Sequence, residues 1–366
     1  MKKRFYYALL FFLMASPALA TYRDALEYLR KENYPGAVDA LQDTLLTDSK
    51  SQYLMGFMYY HGLGVPKSYR QAAELFEKSM EAGNTDSRTF LAYMYDEGKG
   101  IRVDKKKAFD LYQESAEVGD TTAILNLAVM YYRGNGIPQN YGKAFELMSS
   151  IENVRDPVAQ YYLGNFYFYG FGVEKDLAKA FLYYVRAAQL GSIEAHYMLG
   201  HIYQNGHGVK TDDGKALKYY EYAAYKGQPQ AQFNLATMYA SGKGTQVDKA
   251  NAYAWLAMSV KGGVVQAQEE LSKLAEKMTL AETARAKQLI IDYNKMLDDP
   301  NAKITSESMN ENLGNMAFKA QPKSFSGYRA TTTIKLDNQT NGGYYDTSSS
   351  RSTSTPARKA RTVRRR

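Results

Sequence analysis

Residues Ala195–Gly227 read AHYMLGHIYQNGHGVKTDDGKALKYYEYAAYKG. Counted from Ala195, the small or apolar residues fall at offsets 0, 4, 5 and 8: Ala195, Leu199, Gly200 and Tyr203. On a helix of 3.6 residues per turn these form one stripe. Small residues at offsets 0 and 5 let a neighbouring helix approach closely, and the tyrosine at offset 8 fills the space left. Gly206-His207-Gly208 follows, and glycine takes the left-handed conformation that ends a helix. A second stripe opens at Lys215-Ala216 and closes at Ala223-Ala224, before Gly227. The stretch therefore predicts a helix A, a glycine stop and a helix B folded back on it.

The pattern recurs every 36 residues. Its glycine pairs are Gly62/Gly64, Gly98/Gly100, Gly134/Gly136, Gly170/Gly172, Gly206/Gly208 and Gly242/Gly244. The same offsets read Ala123, Leu127, Ala128, Tyr131 in the third copy and Ala231, Leu235, Ala236, Tyr239 in the sixth. Helix B opens at Lys107-Ala108, Lys143-Ala144 and Lys179-Ala180, and a stop glycine keeps the period at Gly83, Gly119, Gly191 and Gly263. One copy departs: Arg155 stands where that glycine belongs, which predicts a different link between the third and fourth units. A fixed period of this length marks a stacked helical array, whose units bury a continuous core only by packing on one another.

The unit A-x-x-x-L-G-x-x-Y-x-x-G-x-G-V, then K-A-x-x-Y-Y-x-x-A-A-x-x-G, resembles the Sel-one-like repeat (SLR), a relative of the tetratricopeptide repeat. The resemblance covers residues 51–263. It implies an all-α, right-handed α-solenoid of antiparallel helix pairs, and a role as an adaptor that binds other proteins, often in bacterial envelopes or secreted. The disulfide-rich secreted branch of the family is not matched, because this chain has no cysteine.

The flanks read differently. Met1-Lys2-Lys3-Arg4, an apolar run from Phe5 to Met14 and Ala18-Leu19-Ala20 have the layout of a secretory signal peptide over 1–20. Its apolar run is far short of the ~20 residues that a spanning helix needs. The expectation is an exported chain, in the periplasm or secreted, with no transmembrane segment after cleavage. Residues 21–50 carry two short helical patterns and read as an N-terminal capping pair. Residues 264–299 read as C-terminal capping helices, with Thr279-Leu280-Ala281-Glu282 spelling a capping box. From 300 to 366 the chain turns Ser/Thr-rich and basic, a composition too poor in apolar surface to offset its ordering entropy. That composition predicts a disordered tail.

Charge follows the same division. The net +8 belongs to the ends: residues 300–366 hold 12 Lys and Arg against 4 Asp and Glu, and the first 20 hold 3 more basic residues. Residues 21–299 keep 31 basic against 34 acidic residues, so no nucleic-acid face is expected on the array. Arg358, Lys359, Arg361, Arg364, Arg365 and Arg366 make a cationic end suited to weak contact with anionic surfaces. A plain solubilising tail is the alternative.

Catalytic chemistry finds no support. Thiol chemistry is excluded by composition. The four histidines, His61, His196, His201 and His207, are not spaced i, i+4 as a helical zinc pair requires. The glycine pairs end helices and do not open one after a strand, as a phosphate cradle would. No enzyme, cofactor or metal is expected.

What remains is the face of helix A opposite its packing stripe, which lines the concave side in tetratricopeptide-like superhelices. Its expected groove residues are Tyr53, Phe57, Tyr60, Tyr93, Tyr132, Arg133, Tyr161, Phe168, Tyr169, Tyr197, His201, Gln204 and Phe233. Tyrosine carries a large contact area with a polar tip, which suits binding a protein or an extended peptide. Individual rings have the alternative of packing against the next unit. A glycan-binding or peptidoglycan-associated protein or enzyme is the alternative function, and self-association is left open.

Overall fold

A computed structural model describes residues 17–298 of the chain. Two units divide the polypeptide, Met1–Gln321 and Pro322–Arg366. The second unit, and the tail cations Arg358 to Arg366 with it, lies outside the described residues, as does most of the expected signal peptide.

Among the described residues there are sixteen helices and no strand. They are α1 (Pro17–Arg30), α2 (Tyr34–Gln42), α3 (Ser49–His61), α4 (Tyr69–Glu81), α5 (Thr85–Glu97), α6 (Lys105–Glu117), α7 (Thr121–Arg133) and α8 (Tyr141–Ser150). They continue as α9 (Pro157–Tyr169), α10 (Leu177–Gln189), α11 (Ile193–Asn205), α12 (Asp213–Tyr225), α13 (Pro229–Ser241), α14 (Lys249–Lys261), α15 (Val265–Ala275) and α16 (Leu280–Asp298). From α3 to α14 the odd-numbered helices are the A helices and the even-numbered ones the B helices. Each packs on its neighbours in sequence, which makes an α-solenoid.

Short polar side chains start these helices. Asp104, Asn140, Asp176, Asp212 and Asp248 each accept a backbone N–H at the start of a B helix, and Asp48, Asn84, Asp120 and Asp156 do the same for A helices. Each such cap contributes about 1 kcal/mol. Glycine stops the A helices: Gly98, at φ 68°, closes α5 in the left-handed region. Gly100 has a second reason to lack a side chain, since a Cβ there would lie 2.3 Å from the backbone carbon of Tyr69 in the preceding unit. The A–B loop is then sealed by one backbone bond, such as Asp212 N–H to the Tyr203 carbonyl at 2.9 Å.

The core stripe is wider than offsets 0, 4, 5 and 8. Met58, Met94, Met130, Phe166, Ile202 and Met238, all at offset 7, are fully buried. Offset 7 completes the i, i+4, i+7 face, so helical geometry demands an apolar residue there. The offset-8 tyrosines are only half-buried. In the second to fifth units each is covered by the lysine that opens helix B: Lys107 lies 4.3 Å over Tyr95, Lys143 5.3 Å over Tyr131, Lys179 5.1 Å over Tyr167 and Lys215 5.1 Å over Tyr203. Offset 5 is small because an aromatic ring of helix B crosses it; a Cβ on Gly200 would meet the Tyr220 ring at 2.7 Å.

The third unit is shortened where Arg155 replaces glycine. α8 has 10 residues against 13 in the B helices on either side of it. The link beyond it is held by Ile151, buried, and by the Gln160 amide, which donates to the Glu152 carbonyl at 2.6 Å. At the C-terminal end the Thr279–Glu282 capping box forms: Thr279 N–H donates to Glu282 Oε2 at 2.7 Å, and Glu282 N–H donates to Thr279 Oγ1 at 3.2 Å.

Candidate binding face

The residues opposite the core stripe divide into three groups along the array. In the first unit Tyr53, Phe57 and Tyr60 are buried. All three rings pack around Phe90 of the second unit, with centroids 5.9, 6.2 and 5.9 Å from it. Here the face is inter-unit core. Phe90, at offset 3 and outside the expected stripe, closes the first unit against the second.

At the edge of this layer stands Lys99, in the Gly98–Gly100 loop. Its ammonium donates to the hydroxyls of Tyr93 at 2.7 Å and Tyr60 at 3.3 Å. Tyr93 is half-buried, and burial pushes its pKa up. Beside them His61 is held neutral: burial, then the nearby charges of Lys67 and Lys99, lower its pKa to about 4. One turn away Asp96 is sealed from solvent and paired with Lys105 Nζ at 2.6 Å, with Asn135 Nδ2 donating to the same oxygen at 3.2 Å.

The middle of the array keeps its rings at the surface. Tyr132 is half-buried and meets Tyr141, Tyr162, Phe166 and Phe171 edge-on at 5.0–6.0 Å. Tyr141 and Phe171 stack at 4.3 Å, and Tyr169 stacks on the other side of Phe171 at 5.1 Å. Tyr169 ends this three-ring column with 49 % of its surface exposed. Arg133 is exposed and donates to the Tyr162 hydroxyl at 3.0 Å. Tyr161 and Tyr197 are half-buried, each about one ring contact from a B-helix tyrosine: Tyr161 lies 6.0 Å from Tyr184 and Tyr197 6.0 Å from Tyr220. Burial raises the pKa of Tyr132, Tyr161, Tyr169 and Tyr197, so their hydroxyls stay protonated and can both donate and accept hydrogen bonds at neutral pH.

Further along, Phe168 is buried against His201 and His207. His201 is half-buried, and desolvation followed by the neighbouring His207 lowers its pKa. Gln204 is committed to structure, accepting from the Tyr220 hydroxyl at 2.9 Å. Phe233 is half-buried and packs into the C-terminal core. Of the expected residues, therefore, Tyr132, Arg133, Tyr161, Tyr169 and Tyr197 come together as an accessible set, with Tyr141 and Phe171 added from helix B and the glycine loop. The loop positions between paired glycines are a signal that the sequence carries and the stripe leaves out.

No helix among the described residues is long and apolar enough to cross a membrane. No group of three or more His, Asp or Glu that could hold a metal ion occurs among them.

Comparison with known proteins agrees with this architecture. The Sel1 repeat model matches six times, over residues 49–84, 85–120, 121–150, 157–192, 193–228 and 229–264. Its third match is the short one, ending where α8 ends. A Sel1 repeat protein from Oxalobacter formigenes is similar in structure, with TM-score 0.59 and 28% identity over 66% of this chain and 99% of that one. The c5321 protective antigen of uropathogenic Escherichia coli, described as displaying an SLR fold, aligns at TM-score 0.40 and 23% identity over 80% of this chain and 79% of its own. The immunity protein Pa5087 from Pseudomonas aeruginosa aligns at TM-score 0.39 and 22% identity, over 58% and 81%. No curated protein matches the chain. Arrays of this kind commonly mediate protein–protein interaction. With six matched units over more than half its length, the chain belongs to the Sel1 repeat family.

Proposed function

We propose that this protein is an exported, non-enzymatic adaptor that holds a protein or an extended peptide along the A-helix face of its middle units. The observation that carries this reading is the tyrosine set around Tyr132, Tyr161, Tyr169 and Tyr197, whose rings are fixed by neighbours yet only partly covered. Rigid aromatic side chains contribute contact area while losing little conformational entropy on binding. Their protonated hydroxyls supply directional hydrogen bonds to a backbone. Export rests on the signal-like layout of residues 1–20.

Crosslinking and pull-down from an envelope extract test it, comparing wild type with Tyr132→Ala/Tyr161→Ala/Tyr197→Ala. The expected result is loss of specific partners with the helical circular dichroism retained. An unchanged partner set from a folded triple variant would remove this face as the site. Co-sedimentation with purified peptidoglycan, abolished by the same variant, would favour a glycan instead.

The basic tail serves, in this reading, as a weak tether to anionic surfaces. Each basic residue near such a surface contributes about 1 kcal/mol, and the effect fades with salt. Deleting residues 348–366 should release the protein from anionic vesicles and leave its melting temperature unchanged. Vesicle binding that survives the deletion would show that the tail is no tether.

A further inference from the structure

The fold places two side chains together that sequence spacing keeps apart. α11 ends at Asn205, and Gly206, at φ 71°, turns the chain back on itself. The N–H groups of Gly206 and His207 both bond to the Ile202 carbonyl, at 2.9 and 3.1 Å. Residue 207 is thereby fixed over the last turn of its own helix, beside residue 201. The second unit makes the same juxtaposition with other chemistry: Lys99 reaches Tyr93, also six residues earlier, at 2.7 Å. In the fifth unit both positions are histidine, and the His201 and His207 ring centroids lie 5.2 Å apart with 31° between their planes.

That separation is one that two imidazoles adopt around a shared metal ion when a nitrogen of each faces it. A zinc–nitrogen bond is about 2.0–2.1 Å, and an imidazole centroid lies roughly 1.1 Å behind its nitrogen. Two imidazoles subtending a tetrahedral angle at one ion therefore have centroids about 5.2 Å apart. His201 Nδ1 is shut off from solvent and has no hydrogen-bond partner. Leaving a buried polar atom unpaired costs roughly 1–3 kcal/mol. An electron-pair acceptor reaching that nitrogen would relieve that cost.

We propose that His201 and His207 form a two-imidazole site for a borderline first-row divalent cation such as Zn²⁺, on the same face as the tyrosine set. Imidazole suits zinc, copper and nickel, and not the hard cations calcium or magnesium. No third His, Asp or Glu joins the pair among the described residues, so the other coordination positions belong to water or to a donor from a bound partner. The site is consequently exchangeable, unlike a closed structural zinc site. Its anchor is firm, because a Cβ on Gly208 would touch Leu177 of the fourth unit at 2.8 Å, holding the loop against that unit. The proposal stands independently of the adaptor reading.

The test uses the full chain without an affinity tag, stripped of metal with a chelator and titrated with Zn²⁺ near neutral pH by calorimetry. Wild type and His61→Gln are expected to take up one equivalent. His201→Gln and His207→Gln should each bind at least about tenfold more weakly. A second readout needs no variant: nitrogen shifts of the His201 and His207 rings should move on zinc addition while those of His61 and His196 stay put. Zinc uptake that neither substitution weakens would overturn the site. So would wild-type protein with no uptake at millimolar zinc, or ring shifts unchanged at both residues.

Discussion

Trp255 lies flat against Tyr293, with ring centroids 4.1 Å apart and 18° between the planes. Trp255 is the single tryptophan of the chain and is fully buried on α14, the last B helix. Tyr293 belongs to α16, and its hydroxyl donates to Asn251 Oδ1 at 2.5 Å. Position 251 is where the middle units carry the lysine that covers their offset-8 tyrosine. Asparagine in its place gives α16 a short acceptor. Arg285 completes the attachment, its two terminal nitrogens bonding Asp248 Oδ1 and Oδ2 at 3.0 and 2.9 Å. The end of the array is thus closed by a helix that meets two departures from the repeat, Asn251 and Trp255, and the retained cap Asp248.

Tyr293→Ala should cost about 3 kcal/mol, the usual scale for removing a buried aromatic ring. Stability in a solenoid is a sum over units and interfaces, so the loss should be local. Tryptophan emission should shift to the red at a denaturant concentration where helical circular dichroism is still largely intact. Emission and helicity lost together, as in wild type, would mean that α16 does not cap Trp255. Arg285→Ala, removing a more exposed pair, should cost no more than about 1 kcal/mol.

Asp96 is enclosed and Lys105 is its cationic partner. Lys105→Met should destabilise by about 3 kcal/mol, because it removes the cation paired with a buried carboxylate. The double variant Asp96→Leu/Lys105→Met should recover much of the loss. A chemical-denaturation cycle over the four proteins checks this, and additive losses would show that the two charges do not interact.

Gly100→Ala and Gly83→Ala separate two costs. Both glycines have positive φ, 75° and 88°, so alanine at either loses roughly 1–2 kcal/mol to backbone strain. At Gly83 a Cβ would meet nothing within 4 Å, whereas at Gly100 it would run into the Tyr69 backbone. Melting should therefore fall clearly further for Gly100→Ala. Equal losses would indicate that inter-unit contact at the loop adds nothing to the strain.

Two groups should tilt stability with pH in known directions. His61 has its pKa lowered from 6.5 to about 4 in the fold. Between those values the unfolded chain binds more protons, so the contribution is complete above pH 6.5 and is lost as pH falls toward 4. His61→Phe should flatten that part of the stability profile.

Glu221 works the other way. Burial raises its pKa above the ordinary 4.5, although the Tyr239 hydroxyl donates to it at 3.0 Å. Its favourable contribution is present below pH 4.5 and lost as pH rises through the folded value. Glu221→Gln should raise the melting temperature at neutral pH, with the gain vanishing at acid pH. A variant that melts lower than wild type at neutral pH would show that the ionised carboxylate is well accommodated.

The sequence alone determined the array. Paired glycines at a fixed period stop helices wherever they occur, and the small residues at offsets 0 and 5 leave room for a neighbour in every unit. These are local requirements of backbone conformation and helical periodicity, so one chain suffices to read them. Even the different link after the third unit was signalled by Arg155. Which stripe residues stay accessible was decided by tertiary packing, because a helix face is open only where the next unit fails to cover it. Phe90 covers Tyr53, Phe57 and Tyr60, while the column ending at Tyr169 is left partly bare. The histidines make the same point: five or six residues apart, they share no helix face. His201 and His207 meet only because a left-handed glycine ends the helix between them and folds the next residue back.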